Sequence, residues 1–322
     1  MAKSNPGPRL LMADEYIKEL LRATRAAKKR LFMLFFAMTN DDETHEIIDE
    51  IISAAARGVK VHVAVDMISL YLNKSFKDIK EITARLRRSG IKVFILGTHS
   101  NIIFVGRNHS KWYVADDTVF SFGGINLNDT HLSKHVDYML CINNEKLADM
   151  FCREQLRIES KNKHGGKVRS RSVKTDVGTV LFDGSMYNRS LIYKRAVKLA
   201  GEADEILYVS QYHPTGKLNR VMRGKNVRVY ANNPEDALSI DGRVMTGLSR
   251  KSSRQTNSYT RGTYIHAKFM IFTMPDGRKK ALLGSHNFFK LTSIVGTREI
   301  DLETENPLII AQLEKFFRDN IR

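Results

Sequence analysis

Residues 31–66 read LFMLFFAMTNDDETHEIIDEIISAAARGVKVHVAVD. Leu31–Met38 is a continuous apolar run of strand length. Asp41, Asp42 and Glu43 then open a helix to about Arg57, since acidic side chains suit a helix N-terminus. Gly58 stops that helix, and Val59–Asp66 alternates as a second strand. Strand, helix and strand in this order predict a crossover unit, hence an α/β fold with neighbouring parallel strands.

Outward from this unit the alternation continues. Ala13–Lys29 has helical periodicity, Ser75–Ser89 is a further helix, and Ile91–Leu96 a further strand. Lys111–Ala115 and Val119–Phe122 read as paired strands about Asp116 and Asp117. Val136–Ile142 reads as a strand and Glu145–Glu159 as a helix. Residues 160–175, SKNKHGGKVRSRSVKT, are polar, basic and glycine-containing, and read as a linker. The order then recurs: helix 188–200, strand 206–211, short helix 217–223, strand 227–231, helix 234–248, strands 263–273 and 281–283, strand 299–302 and helix 308–317. The expected organisation is one lobe over 1–160, a basic linker over 161–175 and a second lobe over 176–322. Two similar halves suggest duplication, with a site at their shared boundary.

The 322 residues carry a net charge of +17. Residues 1–160 hold 23 basic against 20 acidic side chains, and residues 161–322 hold 29 against 15, so most of the excess lies in the second half. Such a balance favours anionic partners and says nothing of the fold. Cys141 and Cys152 are too few for a disulfide framework and lack metal-site spacing, and read as buried thiols of a reducing compartment. Leu31–Met38 is far short of the roughly 20 apolar residues that span a bilayer. No signal-peptide pattern opens the sequence. The expected location is cytoplasmic, with contact at the inner membrane face.

A constellation recurs within the two halves. Residues 108–126, NHSKWYVADDTVFSFGGIN, hold His109, Lys111, Asp116, Gly123, Gly124 and Asn126. Residues 265–287, IHAKFMIFTMPDGRKKALLGSHN, hold His266, Lys268, Gly284, Ser285 and Asn287. Histidine and lysine two apart on a strand point to one side. Each pair is followed by a strand and a G-x-x-N turn. These side chains suit metal-free phosphodiester chemistry. Lysine and asparagine neutralise and hydrogen-bond the non-bridging oxygens. One imidazole can attack phosphorus while the other moves a proton on the leaving or incoming oxygen. The residues themselves leave the two roles interchangeable.

This pattern resembles the duplicated His-x-Lys-x4-Asp motif of the phospholipase D superfamily. The first copy fits fully. In the second, Thr273 stands where the aspartate belongs, and the turn holding Asp276 is four residues longer. Residues 43–66, 108–129 with 135–142, and 205–218 further resemble bacterial cardiolipin synthases. The resemblance implies two α/β/α lobes with mixed sheets about a pseudo-twofold axis, no metal or other cofactor, and a phosphohistidine intermediate. It implies His109 as nucleophile and His266 as acid/base, with Asp137 and Glu299 as carboxylates that orient the histidines. Asp116, Ser285 and Gly124 are supporting positions. The implied partner is an anionic phospholipid, with peripheral membrane contact and a two-lobe monomer. The alternative is a metal-independent nuclease of the same superfamily acting on nucleic acid. A third reading, a binding module with a decayed second site, rests only on Thr273 and the longer turn. Arg250, Lys251, Arg254 and Arg261, just ahead of the second motif, are further candidates for phosphate contacts.

Overall fold

The computed structural model describes residues 7–39, 42–67, 76–98, 106–128, 134–163, 167–237 and 239–322. The chain divides into two compact units. One comprises Met1–Ser133 with Tyr138–Val168, the other Lys134–Asp137 with Arg169–Arg322. Each is built on a seven-stranded mixed sheet.

The first unit runs β1 (Arg9–Leu11), helix Ala13–Ala26, β2 (Arg30–Phe35), helix Asp42–Ala56, β3 (Lys60–Asp66), helix Phe76–Arg88, β4 (Lys92–Leu96), β5 (Trp112–Ala115), β6 (Thr118–Ser121), β7 (Met139–Asn143) and helix Glu145–Lys163. Its strand order is β1-β7-β6-β5-β2-β3-β4. The crossover read from residues 31–66 is present: β2 and β3 pair in parallel, Leu31 opposite Val61 and Phe35 opposite Val65. Strand β4 extends the parallel part. The other pairs are antiparallel, because β5, β6 and β7 are joined by hairpins or return connections. The sheet is therefore mixed, as expected.

Strand β2 is apolar throughout because both its faces are covered. Leu31, Met33 and Phe35 pack with Leu20, Ile47 and Ile51 of the first two helices. On the other face Trp112 meets Phe151 of helix Glu145–Lys163, and its indole N–H donates to Gln155 at 3.0 Å. Burying such side chains stabilises by roughly 1.5–3 kcal/mol each.

The second unit runs β8 (Arg171–Thr175), β9 (Gly178–Phe182), helix Leu191–Glu202, β10 (Glu205–Ser210), helix Gly216–Met222, β11 (Asn226–Ala231), a 3-10 turn Pro234–Asp236, helix Ile240–Ser252, β12 (Phe269–Thr273), β13 (Lys279–Gly284), helix Lys290–Ile294, β14 (Ile300–Thr304) and helix Pro307–Asn320. Its order is β11-β10-β12-β13-β14-β9-β8. Six strands repeat the first sheet: β1, β7, β6, β5, β2 and β3 correspond to β9, β14, β13, β12, β10 and β11, with the same parallel and antiparallel pairings. The duplication read in the motifs is thus written into the topology of each unit.

Two departures from the sequence reading have local causes. The stretch read as a linker is largely ordered: helix Glu145–Lys163 reaches into it, and Arg171–Thr175 forms edge strand β8 against β9. Its side chains alternate between half-buried and exposed, which a composition count does not register. The helix expected over 234–248 is divided, because Asn233, capped by Asp236, starts a 3-10 turn and Ser239 caps a new helix by accepting from the Gly242 amide at 3.2 Å.

Candidate active site

In both units the His-x-Lys segment lies just ahead of its strand rather than on it. It is fixed by a polar side chain from the parallel strand two places away. Asp66, closing β3, accepts from the Asn108 amide at 2.6 Å. Asn232, just past β11, accepts from the Ile265 amide at 2.7 Å and donates to the Ile265 carbonyl at 2.8 Å. Neither clamp was evident from the motif, since each residue lies more than thirty positions upstream and its strand had to be placed first.

In the first unit His109 is half-buried, with its ring edge-on to Phe36 at 5.1 Å. Lys111 is fully buried, and its ammonium donates to the His109 carbonyl at 2.6 Å. Its charge also sits over the Phe36 ring at 5.6 Å. Asn126 is buried and accepts from the Ala37 amide at 3.2 Å, which ties the G-x-x-N turn to the end of β2.

The second unit repeats this arrangement. Lys268 is fully buried and donates to the His266 carbonyl. His266 is buried, and its Nδ1 donates to Asp137 at 2.6 Å. An ionised carboxylate can only accept, so in this contact the proton sits on Nδ1. Asp137 counts with this unit, beside His135, which stacks on His266 at 5.3 Å. The Ser285 hydroxyl donates to buried Glu299 at 2.6 Å. The Asn287 side-chain oxygen is buried without a hydrogen-bond partner among the described residues.

Burial lowers the Lys268 pKa to about 8, against the opposing pull of Asp137, Glu299 and Asp301. Burial with the Lys268 charge lowers the His135 pKa to about 4, so that ring is neutral at pH 7. His135 was not singled out from the sequence. Its only signal there was its place two residues before Asp137.

The glycines of the two turns meet the same constraint. A Cβ on Gly123 would lie 1.8 Å from the Tyr138 carbonyl oxygen. On Gly284 it would lie 2.2 Å from the Ile300 carbonyl oxygen. Each turn packs directly on backbone, and only glycine permits that approach. Gly124, the neighbouring supporting position, is buried in the same turn.

Residues 20–157 match the family described as cardiolipin synthase, PLD-like domain. The superposable solved structures include a phosphatidylserine synthase from Haemophilus influenzae, with a TM-score of 0.73 at 16% identity over 98% of this chain and 87% of that one. The fold of this chain is phospholipase D-like. A polyphosphate kinase from Porphyromonas gingivalis also superposes, with a TM-score of 0.62 at 17% identity over 97% of this chain and 51% of that one. Among curated proteins, cardiolipin synthase A of Pseudomonas fluorescens is 30% identical over 130 residues, 39% of this chain and 26% of that protein. A cardiolipin synthase of Alkalihalophilus pseudofirmus is 28% identical over 127 residues, 37% of this chain and 24% of that protein. The match thus spans about a quarter of the length of these two relatives.

In this fold the motif aspartate is a structural element. Asp116 lies at the far end of β5 from His109, in the β5–β6 turn, at φ 48°. Its carboxylate accepts from the amides of Lys28, Lys29 and Arg30 at 2.9, 2.8 and 3.0 Å, fixing the entry to β2. The second unit secures the same junction differently. The Thr273 carbonyl accepts from the Asp204 amide at 2.9 Å, and the Lys225 ammonium donates to the carbonyls of Gly201 and Ala203. Asp276 does not substitute for the lost aspartate, being paired with Arg278 at the exposed hairpin tip.

Asp116→Ala is expected to destabilise the protein by about 1–2 kcal/mol, the usual scale for a carboxylate that caps backbone amides. Partial burial opposes ionisation, but the three amides prevail and hold the carboxyl below its ordinary range. A lowered folded pKa means the contribution is complete above the unfolded value of about 4 and lost as pH falls through the folded one. The gap in melting temperature between Asp116→Ala and the native chain should therefore close in acid. Calorimetry at pH 7 and pH 3 checks this.

Proposed function

We propose that the chain cleaves a phosphodiester of a glycerophospholipid through a covalent phosphohistidine and passes the phosphatidyl group to an alcohol or to water. The observation that carries this reading is the duplicated half-site: a histidine whose backbone is clamped, a buried lysine on that histidine's own carbonyl, and an asparagine on a glycine turn. The match of residues 20–157 to a cardiolipin synthase, PLD-like domain supports the lipid as substrate class.

His109 Nε2 attacks phosphorus, forming the P–N bond as the bond to the leaving oxygen breaks. Protonated His266, held at Nδ1 by Asp137, gives its Nε2 proton to that oxygen. The acceptor then loses its proton to His266 and attacks phosphorus, and the P–N bond breaks. Lys111, Lys268, Asn126 and Asn287 bind the non-bridging oxygens throughout. Glu299 orients through Ser285, and Asp137 is a positioning residue.

The test is incubation of the protein with phosphatidylglycerol in mixed micelles. Phosphatidic acid or cardiolipin should form, and rapid quenching should trap an acid-labile, base-stable phosphohistidine. No lipid product, with digestion of DNA in chelator instead, overturns the lipid substrate.

Lys268 sets an alkaline limit. Its role needs the charged form, and burial lowers its pKa to about 8. We expect kcat/KM, which reports the free enzyme, to fall about tenfold per pH unit above that value. A profile flat to pH 10 would remove Lys268 from the phosphate site.

A further inference from the structure

Helix Ile240–Ser252 is turned inside out. Its inward side chains include Thr246 and Ser249, both fully buried, with the Ser249 hydroxyl accepting from the His213 amide at 3.3 Å. Three of its four large apolar side chains face outward: Ile240 is 81% exposed, Val244 56% and Leu248 51%, while Met245 is half-buried. Positions four apart lie on one helix face, so the three form a stripe. A helix held only by the core would bury that stripe.

The stripe has company. Arg243, Arg250 and Lys251 on the same helix are exposed, and among the described residues none is paired with a carboxylate. On the short helix Lys290–Ile294, Leu291 and Ile294 are exposed, as is Tyr187 beside it. That helix hangs on the same loop as the first, since Thr215 accepts from the Lys290 amide at 2.9 Å and His213 donates to Ser249. The loop leaves the C-terminal end of β10. There Val209 pairs with Phe269, the residue that follows Lys268. Apolar and cationic groups thus crowd the end of the second sheet that carries its half-site.

We infer that helix Ile240–Ser252 is an interfacial anchor that lays Ile240, Val244 and Leu248 into an anionic lipid surface. Exposed apolar groups flanked by cations with no carboxylate partner among the described residues match such a surface, where acyl boundary and anionic head groups adjoin. Charge argues against a second copy as occupant, because residues 161–322 hold 29 basic against 15 acidic side chains and like would face like. The inference deepens the phospholipid reading and rests on it. It gives the half-site a way to meet a substrate that resides in a bilayer.

Sedimentation with vesicles tests it. The native chain should pellet with vesicles containing phosphatidylglycerol and stay largely free with pure phosphatidylcholine. The triple substitution Ile240→Ser, Val244→Ser, Leu248→Ser should weaken binding to the anionic vesicles at least tenfold. Its turnover of a water-soluble phosphodiester should be unchanged, which also shows that it folds. Val244→Trp should shift its emission to the blue on adding the same vesicles, against the constant signal of buried Trp112. Unchanged vesicle binding by the triple variant, or an unshifted Val244→Trp, overturns the inference. So does a native dimer that the triple variant abolishes while vesicle binding persists. Failure to turn over the soluble phosphodiester sinks the catalytic reading instead, and leaves vesicle binding to be judged alone.

Discussion

His266→Ala is expected to lower turnover of the phospholipid by about 10³–10⁴-fold with little change in KM. A positioned acid/base contributes roughly 10²–10⁴ by itself, and in the mechanism proposed above the same ring serves both the leaving and the incoming oxygen. His109→Ala should cost at least as much, since on the proposed mechanism it removes the atom that becomes phosphorylated. The two variants differ in what they accumulate. His109→Ala should form no phosphohistidine at all. His266→Ala should still form it with an activated substrate whose leaving group needs no proton, and should then hold it, because deprotonation of the acceptor is lost. Quenched-flow with a labelled p-nitrophenyl phosphodiester separates the two. Trapping in His109→Ala with none in His266→Ala would reverse the assignment of nucleophile and acid. Asp137→Asn tests the orienting contact. The amide can keep a hydrogen bond to Nδ1 but cannot oblige that nitrogen to carry the proton, so kcat should fall while substrate binding stays.

The second large effect is structural. Gly123→Ala should lower stability by about 3 kcal/mol or more, beyond the ordinary range for a single added methyl. The added carbon meets the Tyr138 carbonyl oxygen at 1.8 Å, a backbone atom that cannot rotate away. For units of this size each kcal/mol moves the melting temperature by roughly 2–4 °C. A loss of about 6–12 °C is therefore expected, read by thermal unfolding. Gly284→Ala should behave alike, with the Ile300 carbonyl oxygen at 2.2 Å and the Asp301 carboxylate at 2.3 Å. By contrast Gly58, also at positive φ, has open space around it, so Gly58→Ala should cost only the backbone strain of about 1–2 kcal/mol. A Gly123→Ala protein as stable as the native chain would mean that the turn can move off the strand.

Much of this was legible in the residues. An apolar run at 31–38 and an alternating one at 59–66 placed the parallel pair, and the recurrence of His-x-Lys with G-x-x-N pointed to the two candidate half-sites. What escaped has physical reasons. Short edge strands such as Arg9–Leu11 and Arg171–Thr175 bury one face at most and show little pattern. Asp66 and Asn232 act on backbone amides, so their side-chain type matters only once their strands are in place. The outward stripe on helix Ile240–Ser252 has the period of any amphipathic helix, and sequence alone cannot tell which face looks inward. Asp137 was assigned to the first lobe by position in the chain, yet its side chain serves His266.

Thr273 frees the second hairpin from a duty that Asp116 performs in the first. In the β12–β13 connection, Met274–Arg278, Met274 packs on the core and Arg278 pairs with Asp276 and reaches Glu305 at 3.6 Å, but no side chain of the tip braces the junction beneath, which is held by Lys225 and by backbone. Copies of an ancestral unit need not carry equal burdens: once one tip is released from bracing, it becomes ground where length and charge can drift. For the protein engineer Pro275–Asp276 is accordingly a berth for an epitope or reporter, whereas the corresponding tip at Asp116–Asp117 is a keystone to be left untouched.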